Sequence, residues 1–315
     1  MSLGLRKMKL AMLGATVLAA MACEEVVPYP DTGAEEMMLL EGVADEGTSE
    51  FSVRRIFPIS EKNFVARKDM IVLDAVMNLT VNGKEIVVTC TNDSLSCVFS
   101  TDYKFQAKDK ICVNVSVQGV PDVRCETTVP DVPEVMDMSY GFTDDDMLTF
   151  SAMVQTCPQR MDGYVYFLEM ETEKMEYVDG TLKSKTIGIN VHNLPRTVLG
   201  WKTINYNNHP VMGYEDADDN GIHHLNTEVE LFGSLEIPDA EGHIVRTDRR
   251  VNRIRFCAWH LSTALYLSLK TAKNNKDYSQ DSQISFVTPL EYSNVTGGKG
   301  AVGAVSVYRS EWRDL

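Results

Sequence analysis

Residues 111–125 read ICVNVSVQGVPDVRC. In the first seven, Ile111, Val113, Val115 and Val117 alternate with Cys112, Asn114 and Ser116, the period of two that a strand shows when one face is buried. Gln118-Gly119 supplies a two-residue turn, so Val117 faces Val120 and the chain returns antiparallel through 123–129. Outward from this hairpin the pattern repeats. The runs 37–43, 51–59, 71–81, 85–90 and 97–101 are rich in Val, Ile and Phe, and Asn82-Gly83 is a hairpin signal between two of them. About seven short strands within 36–130 fit an immunoglobulin-like β-sandwich. Pro130-Asp131-Val132-Pro133 then punctuates the chain. Proline donates nothing to a strand ladder and biases its predecessor to extended form, so a domain boundary is expected here.

The remainder, 131–315, is again mostly strand, with runs at 148–154, 163–169, 186–191, 228–237, 254–259 and 301–308. Residues 193–227 are rich in Asn, Asp, His and Gly and read as an irregular stretch. One helix is expected over 262–274. Ser262 is its N-cap, Leu265, Leu269 and Ala272 share a face, and Asn274 stands near its end. The fold class is therefore mainly β: an immunoglobulin-like sandwich, then a second β-sandwich-type domain whose helix covers one sheet.

The N-terminus carries a different signal. Arg6, Lys7 and Lys9 precede an apolar stretch, LAMLGATVLAAMA, that ends at Ala22 before Cys23. Thirteen residues make a helix of roughly 20 Å, too short for a hydrocarbon core of roughly 30 Å. Residues 1–22 thus read as a cleaved export signal, and Cys23, following small residues, as the site of acylation in a lipoprotein. Residues 23–35 form a tether that begins Glu24-Glu25 and continues through Pro28, Pro30 and Gly33. Loss of the three leader cations takes the net charge from −15 to −18. That balance argues against nucleic acid and against polybasic contact with anionic lipid, so the acyl chains must hold the body to the membrane.

Six cysteines follow Cys23. The turn at Gln118-Gly119 carries Cys112 opposite Cys125 on a non-hydrogen-bonded site, where a disulfide is feasible. Cys90 and Cys97 are a second possible pair, closing a hairpin over TNDSLS. Free buried thiols are the equal alternative for both pairs. No Cys-x-x-Cys occurs, so a cysteine metal site is not expected.

Several features together resemble one family. They are the acylated Cys with its acidic tether, Leu40-Glu41-Gly42 in the first strand, Thr80-Val81-Asn82-Gly83 leading to Thr127-Thr128-Val129-Pro130, and the C-terminal helix followed by YSNVTGGKGAVG at 292–303. The chain resembles the Bacteroidota outer-membrane lipoproteins carried as domain of unknown function forty-two forty-nine. The likeness covers nearly the whole mature chain and is weakest across 193–227. The resemblance implies an outer-membrane lipoprotein exposed at the cell surface, often encoded beside a TonB-dependent receptor. That family has no assigned activity and supplies no catalytic residues.

Three motifs invite chemistry. Gly298 to Gly303 spells G-x-G-x-x-G, but no strand-then-helix context surrounds it and a strand follows, so a closely packed glycine turn is expected. Asp216-Ala217-Asp218-Asp219-Asn220-Gly221 matches the opening half of a calcium loop, with Asp216, Asp218 and Asn220 as its side-chain ligands. Thr227 stands where a bidentate Glu is needed, so a solvated acidic turn is the favoured alternative. His209, His223 and His224 lack helical metal spacing, and the adjacent pair points to opposite strand faces; surface histidines are expected. No cofactor is otherwise indicated. Trp259 reads as core, and Trp201, in the irregular stretch, is the candidate ligand contact.

The functional expectation is a non-catalytic surface lipoprotein, accessory to a TonB-dependent outer-membrane transporter, that captures a small-molecule, peptide or glycan ligand. The alternatives are an adhesin-like or structural surface subunit, and a hydrolase whose two carboxylates lie far apart in the chain.

Overall fold

The computed structural model describes residues 37–56, 72, 74–92, 97–143, 147–157, 159–194, 204–240, 243–281 and 292–315. All lie in one compact unit, Glu36–Ile56 with Ala66–Leu315. The leader, Cys23, the 23–35 tether and Trp201 fall outside the described residues.

The first strands in chain order are β1 (Met37–Ala44), β2 (Ser49–Ile56), β3 (Val76–Val81), β4 (Lys84–Ile86), β5 (Thr89–Asn92), β6 (Cys97–Thr101), β7 (Lys110–Val117) and β8 (Val120–Thr128). Then come β9 (Glu134–Phe142), β10 (Met147–Gln155), β11 (Gly163–Val178), β12 (Thr181–Leu194), β13 (Asn205–Tyr206) and β14 (His209–Gly213). After a 3-10 turn at Tyr214–Asp216 follow β15 (Ile222–Glu230), β16 (Phe232–Pro238) and β17 (Ile244–Leu261). The helix α1 (Thr263–Asp281) and β18 (Val295–Thr296), β19 (Val302–Arg309) and β20 (Arg313–Asp314) complete the order. The protein is mainly β and of sandwich type.

One sandwich sets β1, β2, β6 and β5 of a large sheet against the sheet β18-β8-β7-β3-β4. Met38, Leu40, Phe51, Val53 and Phe99 from the first share a core with Leu79, Val81, Ile111, Val113, Val115 and Val123 from the second. Asn82 and Gly83 take φ of 53° and 79°, the left-handed pair that a tight hairpin demands, and Val81 faces Lys84 as the sequence indicates. The C-terminal strands return to this sandwich: β18 pairs with β8, and β19 runs parallel to β1. The proline pair lies between β8 and β9, where the chain leaves one sheet for another.

The register of the β7–β8 hairpin corrects the expected cysteine pairing. Val117 does face Val120, but β8 carries an extra residue at Pro121-Asp122, and beyond it Cys112 faces Glu126 while Cys125 faces Val113. Pro121 has no N–H to give the ladder, which is why the strand bulges there. A slip of one residue sends the two sulfurs to opposite faces. Cys90 lies opposite Phe99 and Cys97 opposite Asn92, so these two are diagonal neighbours on one face with their thiols in contact. All six described cysteines are free thiols. Burial first, then the neighbouring Cys90, pushes Cys97 up to about 12; burial pushes Cys125 up to about 11 and Cys257 up to about 12. Thiolates are the reactive species, so iodoacetamide at pH 8 should label exposed Cys90 while Cys125 and Cys257 stay unmodified in the native protein. Peptide mass mapping over a time course reads this directly, and equal rates at Cys90 and Cys125 would refute it.

The second sandwich sets β15-β10-β9 against β11 and β17. Leu148, Phe150, Ala152, Val154, Leu225 and Val229 pack on Tyr164, Tyr166, Leu168, Ile254, Phe256 and Ala258. The opposite face of β11, β17 and β19 is covered by α1, through Val165, Phe167, Cys257, Leu261, Val305, Leu265 and Tyr266. Burial on both faces explains the unbroken apolar run Tyr164 to Leu168, where alternation fails. Ser262 caps the helix as expected, its hydroxyl accepting from Leu265 N at 3.4 Å and from Ala304 N at 3.0 Å, while the helix continues to Asp281 rather than ending at 274. The glycine run packs as a turn. An added Cβ would meet Met38 O at 2.5 Å from Gly298 and Leu40 O at 2.0 Å from Gly300. The stretch expected to be irregular instead holds β13, β14 and β15.

Candidate ligand-binding surface

Three strands whose inner side chains are committed to the core must turn their alternate residues outward. The outer face of β9-β10-β15 is therefore a grid of three rungs set by register. Asp137, Met153 and His224 form one rung, Ser139, Ser151 and Asn226 the next, and Gly141, Thr149 and Glu228 the third. The central rung is tied together by a 2.7 Å contact between the Ser139 and Ser151 hydroxyls. A hollow of 520 Å³ lies over Ser139, Thr149, Ser151, Asn226 and Glu228, and a smaller one of 160 Å³ continues it past Ser151 and Asn226 to Asp137 and His224. Together they make an open trough whose walls are hydroxyls, amides and a few charges, within the size range of small-ligand sites. A second hollow, of 430 Å³, lies beside Glu85, Val87, Thr89, Ser100 and Tyr103. It sits at strand ends, without a regular grid of outward side chains.

The acidic loop closes one end of the trough. Asp218 Oδ1 accepts from Asn220 N and Ile222 N, both at 2.9 Å, and its Oδ2 lies 3.2 Å from His224 Nε2. The backbone N–H of Ile222, with smaller help from His224 and Asn220, holds the Asp218 carboxyl below its usual range. Asp216 Oδ2 accepts from Gly213 N at 2.7 Å. The candidate calcium ligands Asp216 and Asp218 thus serve as caps on separate backbone donors. Among the described residues, no group of three or more His, Cys, Asp and Glu side chains is placed to hold a metal ion.

The histidines need correcting as well. His224 is exposed and faces the trough, while His223 points inward, is buried, and lies 2.8 Å from the Tyr166 hydroxyl. Burial lowers the affinity of its ring for a proton. His209 is half-buried, stacked on Phe167 at 4.5 Å and edge-on to Trp259 at 5.1 Å. Neither is a surface histidine: packing of His223 on β11 and of His209 on β11 and β17 decides their burial, and their position in a polar stretch of sequence does not reveal it.

Where the start of β11, the end of β17 and the start of α1 meet the 131 segment lies a cluster that sequence reasoning missed. Asp162 is fully buried, as is nearly all of His260. His260 Nε2 donates to Asp162 Oδ2 at 2.9 Å and its Nδ1 to Asp131 O at 2.7 Å. Thr263 Oγ1 donates to Asp162 Oδ1 at 2.5 Å, and Arg160 Nε lies 3.2 Å from Oδ2. Tyr164 stacks on the His260 ring at 4.6 Å. Burial alone would raise the Asp162 carboxyl, but bonds from His260 and Thr263 and the charges of His260 and Arg160 outweigh it and leave it lowered. The cluster ties the 131 segment, β17 and the start of α1 together. With every oxygen of Asp162 engaged and water excluded, it is a structural hub. The only sequence hint was a pair of polar residues, Asp162 and His260, inside apolar strand contexts.

No protein-family model matches the chain, and no curated protein matches it. Fold and surface define a mainly β, sandwich-type protein with an open polar sheet face. Among the described residues, no helix is long and apolar enough to cross a membrane.

Proposed function

We propose that the chain is a non-catalytic lipoprotein of the outer-membrane surface, acylated at Cys23, that works beside a TonB-dependent transporter and holds a polar ligand for it. The export signal and Cys23 support the anchoring, and the resemblance to outer-membrane lipoproteins supports the partner. The observation that carries the binding role is the trough on β9-β10-β15. Its nine grid positions stand on a stiff sheet rather than on loops, and Ser139, Thr149, Ser151 and Asn226 present donors and acceptors suited to a glycan, a peptide or a small hydroxylated molecule. The geometry disfavours a glycosidase in the same place. Asp137 and Glu228 lie on rungs four residues apart along β10, about 13 Å at roughly 3.3 Å per residue, beyond the ~9.5 Å limit for paired catalytic carboxylates.

The test is affinity purification through the full, acylated chain from detergent-solubilised outer membranes. A TonB-dependent barrel should be recovered at near-stoichiometric level, and repeated recovery of the lipoprotein without one would sink the transporter reading.

A further inference from the structure

Over its outer half β12 is an edge of the large sheet: among the described residues it pairs with β11 alone. Sheet edges in soluble proteins are normally blunted by charge, proline or a bulge, because an open row of N–H and C=O groups accepts any passing strand. The tip of β12 obeys this, with Lys183, Lys185 and a register shift opposite Glu176 and Tyr177. The next six residues do not. Thr186-Ile187-Gly188-Ile189-Asn190-Val191 contains no charge and no proline, and its pairing with β11 is regular throughout. Ile187, Ile189 and Val191 share one face, opposite Glu173, Glu171 and Glu169, and are 60%, 54% and 45% exposed. On the other face stand Thr186, Gly188 and Asn190, and a Cβ added at Gly188 would meet nothing within 4 Å. The contacts that fix the end of β12, such as His192 Nε2 to Thr227 Oγ1 at 3.0 Å, begin only past this stretch.

We infer that residues 186–191 pair antiparallel with the same residues of a second copy of this chain, about a two-fold axis at Gly188, so that the large sheets of two protomers become continuous. The symmetry of the stretch identifies the occupant. An isologous contact must be self-complementary, and about this axis Ile187 faces Ile189 of the second copy while Ile189 faces its Ile187. Thr186 faces Asn190, and Gly188 faces Gly188, so the second face closes without steric conflict. Lys185, paired with Glu173 at 2.9 Å, falls opposite Val191 of the second copy, and Glu171 and Glu169 are held by Arg253 and Arg255, so no like charges are opposed. The net charge of the acylated chain, −18 once the three leader cations are removed from −15, is no barrier locally: β12 bears no Asp or Glu, and charges beyond a Debye length of ~8 Å are screened at physiological salt. This contact is independent of the ligand trough and of any transporter.

The experiment measures the protein mass of the full, acylated chain by sedimentation equilibrium in density-matched detergent. The wild-type particle should hold two chains. Ile187→Lys with Ile189→Lys sets like charges opposite one another at both symmetric positions and should leave one chain per particle, with unchanged circular dichroism. Ile187→Lys with Ile189→Glu sets Lys against Glu twice in the same register and should restore two. A wild-type particle of one chain overturns the inference. So does a Lys/Lys variant that still holds two chains, or a Lys/Glu variant that fails to recover.

Discussion

Gly300→Ala is expected to destabilise the protein severely, by roughly 4 kcal/mol or more. Gly300 has φ of +108°, a conformation that costs an L-residue about 1–3 kcal/mol. Its added Cβ would also stand 2.0 Å from Leu40 O and 2.8 Å from Leu40 C. Those atoms are backbone of a core strand and cannot rotate away. Leu40 N donates to Lys299 O at 2.9 Å, Lys299 N to Met38 O at 2.9 Å, and Gly42 N to Ala301 O at 3.1 Å. These bonds begin the parallel pairing of β1 with β19, the seam by which the large sheet runs from one sandwich into the other. Opening the seam by an ångström would strain all three bonds. Gly233→Ala is the control, since nothing lies within 4 Å of its Cβ position and its φ is not in the left-handed region. Urea unfolding should show a large fall in midpoint for the first variant and little or no loss for the second; equal midpoints would refute the account.

Asp162→Ala is expected to cost roughly 3–5 kcal/mol, because it strands His260, Thr263 and Arg160 around a buried site without their shared acceptor. The cost should depend on pH, and the sign follows from the direction of the Asp162 shift. Its folded carboxyl titrates below the ordinary 3.8, so in acid the unfolded chain binds the proton first. The stabilisation is therefore fully present above about pH 4 and disappears as pH falls through the lower folded value. Stability curves of wild type and variant should lie far apart at pH 7 and converge below about pH 4. A constant gap across that range would show that the loss is cavity formation alone. The hub also holds Asp131 O to His260, so the variant should loosen the 131 segment ahead of β9, the outer strand of the trough sheet. Faster amide exchange in 134–142 would report that.

Much of the architecture is legible in local sequence because period and turn chemistry are local properties. The alternation in 111–117, the Asn82-Gly83 turn and the Ser262 cap each describe an interaction that closes within a few residues, and each stands as read. The expected helix end failed because Asn274 is a permissible helix residue as well as a stop. The cysteine register failed at Pro121, where a missing N–H shifts every later pair by one. Of β12 only 186–191 is legible, through Ile187, Ile189 and Val191, because residues 181–191 are exposed throughout and Thr181 to Lys185 carry no apolar alternation. The trough was invisible for a related reason: Ser139, Ser151 and Asn226 come from three strands, and only the register places them on one rung.

Residue type and short spacing are enough to specify a mainly β protein with a break at Pro130 and Pro133, between β8 and β9. The assembled fold decides that the C-terminal glycine run zips onto β1, that Asp162 and His260 meet from positions 98 residues apart, and that residues 186–191 of β12 pair, among the described residues, with β11 alone. Those outcomes rest on which strands become neighbours. That choice is made by burying apolar faces across the whole molecule, and no local spacing records it.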